Sequence, residues 1–274
     1  YHPEAVALSG ALGGPRRAAS TAVFMAAGPV GVSLGPFAIT WAAERPEPPL
    51  WLPVVGLAVA LLLWWAVPKG LLGRRSSSAY REEGVLGVLR RQAKPLSLLA
   101  SISALRYLAM TGLSFGIPLL LADRIGEGEA LSTAGWWLSL LLGSSAVGGI
   151  LGASLTGRRE RGANVVSLLL AGALLVAVPL VPAALGWLPL TAAGLALGWT
   201  NPVIIAMGQR VAPAATASVS ALLLGGAWTV GGPIAPKLFE IVRDVFSATA
   251  AVHWLAGAAF LAGLVSLLLP RPGR

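Results

Sequence analysis

Cysteine is absent from the 274-residue chain, so disulfides, thiolate metal sites and thiol redox chemistry are excluded. Histidine is nearly absent. His2 and His253 are the two present, with no His-Glu-x-x-His pattern, so nothing supplies the ligand cluster on which a metallo-enzyme would rest. Charge is also scarce, at 11% of residues, and it is lopsided, with 20 Lys and Arg against 11 Asp and Glu. None of those acids falls in the middle of a long apolar run, where a proton-driven carrier ordinarily keeps its titrating group.

What fills the chain instead is apolar sequence. Hydrophobic residues make up 56%, glycine numbers 34 and proline 20. Runs of roughly 20 apolar residues recur, the length a helix needs to cross about 30 Å of hydrocarbon. Complete spans are read at 15–43, 49–67, 96–121, 133–156, 164–183, 186–209, 214–238 and 247–269, and residues 1–12 read as the tail of an earlier helix. Barrel strands would alternate over about ten residues, so uninterrupted apolar runs of this length must be helices. The fold class is therefore an all-α, polytopic transmembrane helix bundle.

The basic residues sort by loop. If each span crosses once, Arg16, Arg17, Lys69, Arg74, Arg75, Arg81, Arg90, Arg91, Lys94, Arg158, Arg159, Arg161, Arg210, Arg271 and Arg274 fall on one side. The opposite loops hold Glu44, Glu47, Asp123, Glu127 and Glu129, with Arg45, Arg124, Lys237 and Arg243. The positive-inside rule makes the first side, and with it the C-terminus, cytoplasmic. This placement accounts for the net charge of +9. Arginines in short loops between spans are not the folded basic face that nucleic acid requires.

A motif recurs across the chain. Gly31-x-x-x-Gly35-Pro36 is echoed by Gly231-Gly232-Pro233, and Tyr1-His2-Pro3 stands to the first as Thr200-Asn201-Pro202 stands to the second. Two related halves are implied. If residue 1 matches residue 200, the first half lacks roughly a hundred residues mirroring 96–199, or about three and a half helices. The expected division is 1–67 as the end of an N-terminal half (helices 4–6 of twelve), 68–95 as a polar, basic cytoplasmic linker with a short surface helix near Glu83 to Arg91, and 96–274 as a six-helix C-terminal half. The missing N-terminal helices would then be partners of this chain.

Certain residues stand out physically. Arg106 lies about ten residues, roughly 15 Å, inside its span, where an ionised group normally faces a cavity or a partner. With Tyr107 it is suited to hold an anionic group by charge and hydrogen bond, against the alternative of snorkelling or pairing with a carbonyl. Asn201, at the related position of a later span, either lines the same cavity or bonds a neighbouring helix, as does Gln209. His2 and Glu4 form a protonatable pair near a gate, or cap their helix against Arg16 and Arg17. Gly31, Gly35, Pro36, Gly232 and Pro233 soften their helices into bends about which a half would rock, or into static kinks. Ser144, Ser145, Gly148, Gly149 and Gly152 recur at three- and four-residue spacing, which lets two helices approach closely. His253 beside Trp254 reads as interfacial.

The strings Tyr1-His2-Pro3-Glu4-Ala5, Gly13 through Arg17 and Gly31-x-x-x-Gly35-Pro36, with looser likeness around Arg106-Tyr107 and Gln209-x-x-x-Pro213, resemble the major facilitator superfamily, and within it the fosmidomycin-resistance type of efflux protein. The resemblance implies a secondary transporter of a bacterial inner membrane, exchanging a small drug-like molecule outward for a proton. It implies no cofactor and no enzyme activity. It also implies a gating role for Arg158 and Arg159, from the family's basic cytoplasmic loop. Two departures are visible: Ile39-Thr40 replaces the Gly-Gly that closes the Gly-Pro signature, and Thr156 stands where the family loop has Asp. Importing a metabolite by symport, or being an inactive fragment, are the alternative readings within transport. A membrane-embedded enzyme would need an acidic or His cluster at one membrane face, and the sequence offers none.

Overall fold

Backbone amides in hydrocarbon have no water to bond, and the chain meets this constraint with helices throughout. A computed structural model describes residues 17–43, 51–66, 82–155 and 159–270, and no strand occurs among them. In order the helices are α1 (Arg17–Ala43), α2 (Trp51–Ala66), α3 (Glu82–Arg91), α4 (Ala93–Ile125), α5 (Glu127–Leu155), α6 (Glu160–Ala177), α7 (Trp187–Val211) and α8 (Thr216–Ala221). A π-helical turn, Leu222–Gly226, joins α8 to α9 (Ala227–Val245), and α10 (Ala248–Ser266) follows. Six segments are long and apolar enough to cross a membrane: α4, α5, α6, Ala183–Val211, Ser218–Val245 and α10. They coincide with the last six spans read from the sequence, and α1 and α2 coincide with the first two. The chain is an all-α membrane helix bundle.

α4 is the axis of the six-helix unit. It packs against α9, α10 and α5, and its Leu99, Ile102, Leu113, Ile117, Leu120 and Leu121 are fully buried. Two of its glycines are notches. The space a side chain would need at Gly112 is filled by Leu255 of α10, and at Gly116 by Phe239 of α9. A second layer pairs α5 with α7, α7 with α6, and α6 with α10. Between α5 and α7 the backbones touch. A Cβ at Gly148 would overlap the Leu195 carbonyl, at Gly152 that of Trp199, and at Gly198 that of Ser145. The small-residue stripe on α5 is thus a packing seam, and van der Waals contact between close backbones is what holds helices together where lipid removes the hydrophobic drive.

The ends of α4, α5 and α6 are met in different ways. Gly126, at φ +85°, turns the chain between α4 and α5, a conformation L-residues with side chains resist. Glu127 and Glu129 then sit in the first turn of α5, where acids complement the helix dipole. Arg124 donates to the carbonyls of Val178 and Val181 past the end of α6.

α1 docks on α5. Its Ser33 and Ala42 are buried, the Thr40 side chain fills the space beside Gly135, and the Phe37 and Trp136 rings lie 4.7 Å apart. The Phe37 amide donates to Ser139 Oγ at 3.2 Å. α2, by contrast, is exposed along Pro53 to Leu62 and at Trp65, and an apolar helix of this kind needs lipid or further helices around it. α3, the short helix expected within the linker, turns Val88 and Leu89 onto the core and leaves Arg90 and Arg91 exposed.

Candidate functional site

Arg106 lies thirteen residues into the 33-residue α4, about 20 Å along it, and it is 3% exposed. α4 carries it on the same face as Ser103 and Ala109, toward the interior of the six-helix unit. Its Nη2 donates to Asn201 Oδ1 of α7 at 3.0 Å, and its Cζ lies 4.3 Å from the centroid of the Tyr107 ring. Arg106 therefore meets both Tyr107, with which the sequence paired it, and Asn201, which the sequence singled out on a later span. The snorkelling alternative does not hold, because the side chain is directed inward.

The chemistry of this group follows from what it lacks. Nε is buried without a hydrogen-bond partner. Arg106 takes no part in the ion pairs among the described residues, which are Arg210–Glu160, Lys237–Glu240 and Arg243–Asp123. A guanidinium has five donors in a fixed fork. Held in a low-dielectric interior by one neutral amide and one ring face, it is receptive to an oxyanion able to accept two parallel bonds.

Polar contacts next to Arg106 tie α4 to a second neighbour. Ser103 Oγ donates to the Leu223 carbonyl at 2.7 Å, within the π-helical turn, where widening of the helix releases backbone groups from their usual partners. Two turns on, Gly231 lets α9 rest on the Ala104 carbonyl and the Leu108 amide of α4. Nothing in the leucine-rich sequence of Leu222–Gly226 announces this turn, and sequence reasoning missed it. Both Gly-Pro elements, by comparison, sit inside helices that run through them. Gly31 and Gly35 meet nothing within 4 Å among the described residues, Gly232 meets Trp228 of its own helix, and Pro233 is exposed.

The basic loop between α5 and α6 holds a second finding. Glu160, which falls between the spans read at 133–156 and 164–183, opens α6, is buried at 7% exposure, and pairs with Arg210 at the end of α7. Arg159 next to it is exposed, and Arg161 Nη2 donates to the Leu267 carbonyl past the end of α10. Glu160 thus places an acid four residues beyond Thr156. His2, Glu4, Thr156 and Arg158 lie outside the described residues.

The remaining polar residues are structural in placement. Gln209 Nε2 donates to Ser220 Oγ at 3.0 Å, linking α7 to α8. His253 is half-buried, with Nε2 buried and lacking a hydrogen-bond partner, and Trp254 beside it is exposed. No group of three or more metal-ligating side chains occurs among the described residues.

No curated protein and no solved structure matches this chain. The family model of the Major Facilitator Superfamily matches residues 1–236, well over half of the sequence and across both Gly-Pro elements. With membrane-spanning helices in the number and packing described, this chain belongs to the Major Facilitator Superfamily, whose members are membrane transporters.

Proposed function

We propose that the protein is a proton-coupled exporter of the cytoplasmic membrane that carries a small organic molecule with an anionic group outward by alternating access. Residues 1–67 belong to one half and 96–274 to the other, with 68–95 as the cytoplasmic connector. The observation that carries the reading is Arg106, a buried cation without a carboxylate partner among the described residues, hydrogen-bonded to Asn201 across two helices. Transporter sites form near mid-membrane from facing helices. Arg106 and Asn201 form the substrate's anion contact, and the Tyr107 ring closes one face of it.

In this conformation Arg106 is buried within the six-helix unit, so substrate reaches it when the helices around it move apart. The ion pair between Glu160 and Arg210 acts as a cytoplasmic gate together with the loop arginines Arg158 and Arg159, and the Gly31-Gly35-Pro36 and Gly232-Pro233 elements bend as it opens. The described spans hold no Asp or Glu at mid-depth, so His2 and Glu4 are assigned as the proton carriers. The basic loops support a cytoplasmic C-terminus.

The test is transport in a drug-sensitive bacterium challenged with phosphonate antibiotics, with and without a protonophore. The full protein should confer tolerance that collapses with the protonophore. Arg106→Ala should abolish it at unchanged membrane expression, and Arg106→Lys should retain a small part, since lysine keeps the charge and loses the fork. Undiminished tolerance in Arg106→Ala would overturn the site, and tolerance indifferent to the protonophore would overturn the coupling.

A further inference from the structure

At the end of the bundle that carries the basic loops, α3 lies beside the pair of Glu160 and Arg210 and has no part in the transport proposed above. α3 is a short helix of two characters: Val88 and Leu89 pack on the core, while Arg90 and Arg91 in its last turn are exposed. The chain then turns at Gln92, and Lys94, also exposed, opens α4. α3 therefore lies at the level where the six-helix unit begins, fixed by its apolar side. Its other contact is the single turn Pro213–Ala215, three residues past Arg210, whose side chain is 60% exposed. The ion pair of Arg210 with Glu160 continues this rim to Arg159. The rim holds one described buried acid, already paired, and several exposed cations without one.

We propose that Arg90, Arg91 and Lys94, extended by Arg210 and Arg159, form a docking surface for the phosphodiester headgroup of an anionic phospholipid. The partner is chosen by charge and by depth. A basic cluster immediately outside a span, on a helix whose apolar side faces into the bundle, sits where headgroup phosphates lie. Arginine forks accept phosphate oxygens in pairs. The bound lipid would bridge α3 to the ends of α6 and α7, so the connector between the halves would be held against the membrane. The inference concerns binding alone and stands whether or not the direction of transport proposed above is right.

The experiment uses the full chain, purified and placed in phosphatidylcholine nanodiscs doped with phosphatidylglycerol, with retained lipid read by native mass spectrometry. Phosphatidylglycerol should be retained in preference to phosphatidylcholine. Neutralising Arg90, Arg91 and Lys94 to Gln should lower that preference about fivefold per residue at low salt, with the effect shrinking as salt rises. These side chains are exposed, so the variants should fold. Lys237→Gln, about midway along α9, is the control and should change nothing. Equal retention of the two lipids by the unaltered protein, or an unchanged preference in the triple variant, would overturn the proposal. So would displacement of the lipid by millimolar inorganic phosphate, which would mark a free-anion site, or tighter binding of a short oligonucleotide than of lipid.

Discussion

A single added carbon separates glycines that this molecule needs from glycines it does not. Gly148 and Gly198 bring backbone against backbone between α5 and α7, so Gly148→Leu should force the pair apart and cost about 1–3 kcal/mol, seen as a lowered unfolding temperature in detergent. Gly257 on α10 meets nothing within 4 Å, and Gly257→Ala should hold or raise that temperature, since alanine loses less backbone freedom on folding. An equal drop in both variants would show that the seam is not what fixes the pair. The stripe from Ser144 to Gly152 was legible as a close-approach surface, because small residues at four-residue spacing leave a groove on one face. Its partner was not legible, since spacing on one helix carries no information about the helix opposite. Arg106 was similarly legible from depth alone. That it meets Asn201 depends on how α4 and α7 rotate about their axes, and the uniform hydrophobicity of both helices hides that rotation.

At the level of elements, the spans were readable because hydrocarbon imposes a minimum apolar length, and their ends were not. α4 runs to Ile125 and α5 starts at Glu127, each beyond the apolar run, since helices continue into water wherever their ends are capped. The same blindness concealed Glu160, whose neighbours Arg158, Arg159 and Arg161 mark a loop by charge. The helix start turns it inward onto Arg210. Breaking this pair should cost about 1 kcal/mol, the modest figure for a pair with one exposed partner. Glu160→Gln and Arg210→Gln should each lower stability, the double variant should lose less than their sum, and exchanging the charges should recover part of the loss. Strict additivity in that cycle, read from thermal unfolding, would mean that the two side chains do not interact.

For the molecule as a whole, the missing cysteines become an asset. Single cysteines placed at Glu129 and at Arg159 sit near opposite ends of α5 on exposed positions, in a chain with no competing thiol. A membrane-impermeant maleimide added to intact cells should label Glu129→Cys and spare Arg159→Cys, and the opposite pattern would invert the topology drawn from the positive-inside rule. That rule reads sidedness from loop charge alone. The π-helical turn was invisible to it, yet it sets the phase of a whole span. Leu223 and Gly231 stand eight residues apart and both meet α4. In a regular α-helix eight residues overshoot two turns by about 80°, which would aim one of the two contacts away from α4. The wider turn absorbs one residue, and the remaining seven close two turns to within about 20°. The extra residue therefore acts as a rotational offset, and without it the contacts of Ser103 and of Gly231 with the same neighbour would be mutually exclusive.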